Sequence, residues 1–144
     1  MVGQVNAAKC LSATIEVHIP FHDVDPAGVV WHGNYFKYFE LARCELLQGL
    51  DYNYRQMAES GLLWPVVDLS SRFHQAVEYD HRATVEARLQ EWEYRLRIDY
   101  LMRAMDGTLV ATGETVQVPV NAETRELILG APRFLVDRIE AAMK

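Results

Sequence analysis

The chain has 144 residues, of which 50% are apolar and 24% are charged, and its formal net charge is −6. This composition is typical of a globular protein and argues against a disordered or fibrous one. The acidic balance argues against a protein that binds nucleic acid or an anionic membrane through a net positive field. The length suits one folding unit, so we expect residues 1–144 to form a single domain.

The N-terminal end and the cysteines indicate a cytoplasmic protein. Residues 1–10 lack the apolar core of a signal sequence, and no run in the chain approaches 18 apolar residues. Cys10 and Cys44 form no CxxC pair, which favours two reduced thiols. We therefore expect a cytoplasmic location, without membrane insertion.

The first half of the chain changes from an alternating pattern to a helical one. Residues 13–21 alternate apolar and polar side chains, which predicts a half-buried strand. Residues 34–50 carry apolar side chains on several sides, which predicts a long, largely enclosed helix with Asn34 as its N-cap. A short helix over 54–60 is predicted to end at Gly61. The apolar face of the first strand consists of Ile15, Val17, Ile19 and Phe21.

The second half of the chain predicts mainly strands. Asp106-Gly107 is typical of a hairpin turn and leads into a strand over 109–120. A turn over 121–125 follows, and Pro132 opens a last helix over 132–143. Alternating apolar and polar side chains indicate three earlier strands around residues 67–73, 85–90 and 96–102. In the first of these strands the apolar Val67, Leu69 and Phe73 alternate with Asp68, Ser70 and Arg72.

This order of elements predicts an α+β fold. One strand, a long helix and then a succession of strands make a mostly antiparallel sheet of about five strands. Because the helix is apolar on several sides, the sheet has to curve around it to bury them.

Turn residues and carboxylates separate the first strand from the long helix. The segment over residues 21–43 is FHDVDPAGVVWHGNYFKYFELAR, and its Pro-Ala-Gly favours a tight turn that holds Asp23 and Asp25 in place. His32, Gly33 and Asn34 stand at the start of the helix, where the first amides have no intrahelical partner and the helix dipole is positive. A carboxylate near such donors has the parts to attack a carbonyl and to stabilise the oxyanion.

The same residues have ordinary structural interpretations. An Asp in a turn before a helix is commonly a cap or an Asx-turn residue, which applies to Asp23 and Asp25 alike. His32 taken alone is more often a hydrogen-bonded structural histidine. His18 and His22 straddle Pro20 in the first strand, so we expect no metal site there.

Residues 22–43, HDVDPAGVVWHGNYFKYFELAR, resemble the 4-hydroxybenzoyl-CoA thioesterase family of hotdog-fold proteins, which includes the Tol-Pal-associated acyl-CoA thioesterases. Glu91-Trp92 is a second, shorter match. The resemblance implies a hotdog fold, in which a long central helix is wrapped by a curved antiparallel sheet, assembled as a homodimer or homotetramer. It implies an enzyme that hydrolyses an acyl- or aroyl-CoA thioester to the free acid and CoA. We expect no cofactor and no metal.

The resemblance also implies roles for individual residues. In this family the catalytic carboxylate is the second Asp of the motif, here Asp25, which acts as nucleophile or general base. His32 occupies the position where the family uses a helix N-terminal backbone amide to polarise the thioester carbonyl. His at this position matches the Tol-Pal-associated members, whereas the aromatic-substrate enzyme has Tyr, which weakens the case for 4-hydroxybenzoyl-CoA as substrate.

Substrate-binding residues are expected at the helix start and after the Glu-Trp match. The family binds the CoA phosphates with basic residues just after that match, where this chain has Arg95, with Arg97 as a second candidate. The alternative for both arginines is a solvated strand face. The full predicted binding set is Trp31, Gly33, Asn34, Tyr35, Arg95 and Arg97.

Two other functions remain open at this point. A hotdog hydratase or dehydratase acting on an acyl thioester would use Asp25 and His32, although the Asp-Pro-Ala-Gly signature fits a thioesterase better. A non-catalytic module that binds acyl-CoA or acyl carrier protein needs neither residue for chemistry. The acyl group, and whether its carrier is CoA or acyl carrier protein, cannot be deduced from the sequence.

Overall fold

The computed structural model describes residues 11–144, so Cys10 and the segment examined for a signal sequence lie outside the described residues. In this part of the chain 3-10 turns occupy Phe21–Asp23 and His32–Asn34. The strands and α-helices are, in chain order, β1 (Ser12–His18), α1 (Tyr35–Gly49), α2 (Tyr54–Glu59), β2 (Leu62–Leu63), β3 (Val66–Phe73), β4 (Arg82–Glu91), β5 (Leu96–Ala104), β6 (Leu109–Gln117), β7 (Val120–Asn121) and α3 (Arg133–Ala142).

Five of these strands form one antiparallel sheet in the order β1-β4-β5-β6-β3. The register places Ile15 of β1 opposite Val85 of β4, and Val85 opposite Met102 of β5. β2 and β7 pair separately as a small two-stranded sheet. The predicted α+β fold, with a long helix and about five antiparallel strands, is confirmed.

Helix α1 packs against the sheet with most of its apolar side chains buried, although Leu41 is 53% exposed. It lies over β1 and β4, and Phe39 and Ala42 are completely buried. The Phe39 ring stacks on Tyr100 of β5, with ring centroids 4.8 Å apart. Gly113 of β6 makes this approach possible, because a Cβ there would lie 2.4 Å from the Phe39 ring. The enclosure of the helix follows from its apolar residues on several sides.

Two predictions about strand faces are wrong. Phe21 is 74% exposed and lies in a 3-10 turn, because β1 ends at His18 ahead of Pro20, which has no N–H to donate to a sheet. Among the described residues β3 is an edge strand that pairs with β6 alone, and the apolar side chains of its alternating pattern are largely exposed. The exposed fractions are 58% for Val67, 49% for Leu69 and 47% for Phe73.

The shorter predicted elements are close to those observed. Helix α2 begins with a capping box between Asn53 and Gln56, and it is followed by Gly61 at a φ of +80°. The β5–β6 hairpin turns at Gly107, with a φ of +93°, as predicted. Helix α3 follows Pro132. In the part of the chain that the structure describes, no helix combines the length and apolar character needed to cross a bilayer.

Candidate active site

Residues 23–35, here called the junction, link β1 to helix α1 through a tight turn. The Asp25 N–H donates to the Val29 carbonyl at 2.8 Å, and the Gly28 N–H donates to the Asp25 carbonyl at 2.9 Å. Gly28 has a φ of +82°, which a residue with a Cβ adopts only at a cost. The turn is braced from outside because the Val30 N–H donates to the Val77 carbonyl at 2.8 Å.

The Asp25 carboxylate uses only part of its hydrogen-bonding capacity in this turn. Its Oδ1 accepts from the Ala27 N–H at 2.9 Å, as in the predicted Asx-turn interpretation. Its Oδ2 has no hydrogen-bond partner within residues 11–144. The side chain is half-buried. One carboxylate oxygen is therefore free to react with a ligand while the other keeps the turn in shape.

The helix start supplies unused donors. The Asn34 N–H donates to the Trp31 carbonyl at 2.8 Å, whereas the N–H groups of His32 and Gly33 donate to no acceptor within the described residues. The Trp31 indole is half exposed, lies over Gly33 and contacts the His32 ring at a tilt of 43°, with ring centroids 4.9 Å apart. A Cβ at Gly33 would be 2.2 Å from that indole. Two adjacent amides at the beginning of a helix can bind an anion or a polarised carbonyl oxygen.

Asp23 is the buried carboxylate of the junction. Its side chain is 5% exposed, and it accepts from the Lys37 ammonium and the Tyr38 hydroxyl, each at 2.7 Å. Burial raises the pKa of Asp23, but the hydrogen bonds from Lys37 and Tyr38 outweigh burial, so that the pKa lies below its ordinary value. Asp23 therefore stays ionised and paired, in contrast to the half-open Asp25.

The predicted role of Asn34 as an N-cap is wrong. Its backbone is helical, with φ −77° and ψ −16°, and its side chain makes no capping bond. The side-chain Nδ2 instead donates to the Asp23 carbonyl at 2.8 Å. Tyr35 is buried, with its ring 4.7 Å from that of Phe73. Both residues of the predicted binding set thus have structural contacts, Asn34 with Asp23 in the junction and Tyr35 with Phe73 of β3.

Arg95 and Arg97 lie apart from the junction, at the β4–β5 hairpin. Arg95 donates from two nitrogens to Glu91 at 3.1 and 3.0 Å. Arg97 donates to Glu91 at 2.8 Å and to Glu114 at 3.1 Å. We call these four residues the arginine cluster. The hydrogen bonds from Arg95 and Arg97 lower the pKa of Glu91 to about 2, so its carboxylate is ionised and competes with any incoming anion.

The structure thus brings one part of the predicted site together and keeps the other separate. Asp25 and the helix-start residues from Trp31 to Tyr35 lie in the junction, whereas the two arginines belong to the arginine cluster on the sheet. Asp23 is anchored by Lys37 and Tyr38, and these two partners were not predicted. They lie in the first turn of helix α1, but they are 14 and 15 residues from Asp23 along the chain, and no spacing rule connects side chains across a turn of that length.

Comparisons with known proteins all point to one group. A family model described as the thioesterase-like superfamily matches residues 19–141. The acyl-CoA thioesterase YbgC of Haemophilus influenzae is 31% identical over 103 residues, which cover 71% of this chain and 75% of that protein. The 4-hydroxybenzoyl-CoA thioesterase of a Pseudomonas species is 32% identical over 84 residues, or 56% of this chain and 60% of that enzyme. The crystal structure of a DHNA-CoA thioesterase from Staphylococcus aureus superposes with a TM-score of 0.81 at 27% identity, covering 90% of this chain and 87% of that one.

Proposed function

This chain belongs to the thioesterase-like superfamily, and on that premise we propose that it hydrolyses an acyl- or aroyl-CoA thioester to the free acid and CoA. The predicted family, hotdog fold and thioester hydrolase class are confirmed by the family match and by the similarity to thioesterases. The observation that carries the proposal is the junction, where a carboxylate oxygen and two helix-start amides have no partner within the described residues.

Asp25 is the proposed reactive carboxylate. As a nucleophile, its free Oδ2 attacks the thioester carbonyl, the C–S bond breaks to release the CoA thiolate, and water then hydrolyses the mixed anhydride. As a general base, it takes a proton from a water molecule that attacks the same carbon. A thiolate leaves readily, so neither route needs a serine triad. The half-buried position of Asp25 supports both routes.

The amides of His32 and Gly33 are the proposed donors to the carbonyl oxygen. Charge develops on that oxygen during attack, and fixed N–H groups at a helix start stabilise it without reorganising. In other acyl-transfer enzymes, loss of one such donor costs roughly 2.7–4 kcal/mol of transition-state stabilisation. The exposed Trp31 indole next to these amides is the proposed wall of the acyl site.

We propose further that the protein assembles as a homodimer or homotetramer. Within residues 11–144 the edge strand β3 pairs on one side only, and it exposes Val67, Leu69 and Phe73. An apolar edge strand of this kind is suited to pairing with a second copy of the chain.

The arginine cluster is the proposed phosphate site of CoA. A single domain over residues 1–144, a cytoplasmic location, and acyl carrier protein as a second carrier stay predictions from the sequence.

The decisive experiment measures thiol release from acetyl-, hexanoyl-, decanoyl-, benzoyl- and 4-hydroxybenzoyl-CoA by the wild type, Asp25→Asn and Asp106→Asn. Asp106 is a matched control, because its Oδ1 accepts from the Thr108 N–H at 2.9 Å, as Asp25 does from Ala27. We expect Asp25→Asn to reduce turnover by about 10²–10⁴-fold, the usual range for a positioned acid or base. We expect Asp106→Asn to retain full turnover.

The other outcomes have distinct meanings. Equal turnover by the two variants would make Asp25 a turn residue only. Loss of enoyl absorbance from crotonyl-CoA without thiol release would indicate hydration. Absence of thiol release by the wild type from every ester would contradict the proposed function. Single turnover in H₂¹⁸O tests the nucleophilic route, because ¹⁸O enters the Asp25 carboxylate only when water attacks the Asp25 carbon of the mixed anhydride.

A further inference from the structure

We propose that Asp23 is a positioning residue that holds the Asp25 turn against the start of helix α1. The role rests on the proposed function and adds to it a residue that touches neither the substrate nor the reacting atoms. Asp23 and Asp25 are separated by one residue, so a displacement of Asp23 is transmitted directly to the carboxylate that reacts.

The Asp23 carboxylate is bound to the third and fourth residues of helix α1. Both of its oxygens are used, Oδ1 by the Lys37 ammonium and Oδ2 by the Tyr38 hydroxyl. A buried carboxylate without such donors would be strongly disfavoured. The two short, charge-assisted bonds therefore set where the backbone of Asp23 lies relative to helix α1.

The Asp23 carbonyl is bound to the very start of the same helix. It accepts from the Trp31 N–H at 3.0 Å and from the Asn34 Nδ2 at 2.8 Å. Trp31 is adjacent to His32, whose amide is a proposed carbonyl donor. Asp23 is thus bound to the start of the helix through its carbonyl and to the first helical turn through its carboxylate. The turn that carries Asp25 links Asp23 to Trp31.

The arrangement controls geometry more than it adds stability. Lys37 is 54% exposed, and a charge pair with a partly solvated partner contributes little net stability once desolvation is included. The hydrogen bonds of Asp23 are nevertheless directional. Displacing a reactive group by about 1 Å can cost on the order of 100-fold in rate. We therefore expect disruption of Asp23 to affect kcat far more than KM or the melting temperature.

The test compares Tyr38→Phe with Tyr100→Phe, each of which removes one hydroxyl from a buried tyrosine. The Tyr38 hydroxyl binds Asp23, whereas the Tyr100 hydroxyl bonds to Thr115 Oγ1 at 2.7 Å inside the sheet core. kcat, KM for the best CoA ester and Tm are measured for both, together with Asp23→Asn. We expect kcat to fall about 100-fold in Asp23→Asn and less in Tyr38→Phe, with KM within about twofold of the wild type. Tyr100→Phe should keep its kcat.

The outcomes separate this role from the proposed function. If the wild type is active and Tyr38→Phe keeps its kcat, the positioning role alone is overturned. The same holds if Tyr38→Phe loses no more kcat than Tyr100→Phe does for the same fall in Tm. A wild type that releases no thiol from any ester would reject the proposed function and this role with it. If Asp23→Asn fails to fold, Tyr38→Phe decides.

Discussion

The junction and the arginine cluster both present charged groups to solvent, but they differ in what is already satisfied. In the junction, the Asp25 Oδ2 and two helix-start amides have no partner within residues 11–144. In the arginine cluster, both guanidinium groups are paired with carboxylates. The junction is therefore ready to bind, whereas an anion at the arginine cluster has to compete with Glu91. We expect changes in the junction to alter turnover strongly and changes in the cluster to alter affinity weakly.

Apart from the Asp25 and Asp23 variants, the largest effect on turnover in the junction is expected from Gly33→Ala. The new Cβ would be placed 2.2 Å from the Trp31 indole, so the half-exposed ring has to shift from its place over Gly33. We expect kcat/KM to fall about 10- to 100-fold with little change in Tm. Steady-state kinetics and a thermal melt check this.

Gly49→Ala is the matched control, because nothing lies within 4 Å of a Cβ at that position of helix α1. It should retain wild-type kinetics and gain slightly in stability from the better helix propensity of Ala. Wild-type kinetics in Gly33→Ala would mean that the position of Trp31 does not matter for turnover.

A smaller effect is expected from Arg95→Ala. Loss of this guanidinium should raise KM for CoA esters by about twofold to fivefold, because an exposed charge pair contributes little to affinity. KM for short synthetic thioesters without a nucleotide should stay unchanged. Arg103→Ala, on the exposed side of β5, is the control. An equal rise for both classes of thioester would exclude phosphate binding by Arg95.

The smallest effect concerns the pH dependence of stability. The pKa of Glu91 is lowered to about 2 in the folded protein, from an ordinary 4.5. Its ion pairs therefore contribute fully above pH 4.5, and the contribution is lost as the pH falls towards 2. We expect the Tm of the wild type to exceed that of Glu91→Gln slightly at pH 6, with the difference shrinking by pH 3. A difference that is constant across this range would contradict the ion pairing.

Much of the fold could be predicted because its signals are local. The four- and three-residue steps of apolar side chains located helix α1 to within one residue at each end. The Asp-Gly pair located the β5–β6 turn. Faces were harder to predict than elements, as Phe21 shows. Its alternation continues that of β1, but Pro20 ends the strand, and the side chain instead packs edge-on against Tyr79 at 5.6 Å.

In the candidate site, too, some features follow from neighbouring residues and others depend on tertiary packing. The turn at Asp25 and the donor-rich helix start follow from neighbouring residues, since Pro-Ala-Gly and a helix N-terminus constrain the backbone locally. The different environments of Asp23 and Asp25 do not follow from the sequence. Both precede the same helix, yet only Asp23 meets Lys37 and Tyr38, 14 and 15 residues further along the chain. The packing of the turn against helix α1 brings these groups together, and it alone decides which carboxylate is buried and which is open.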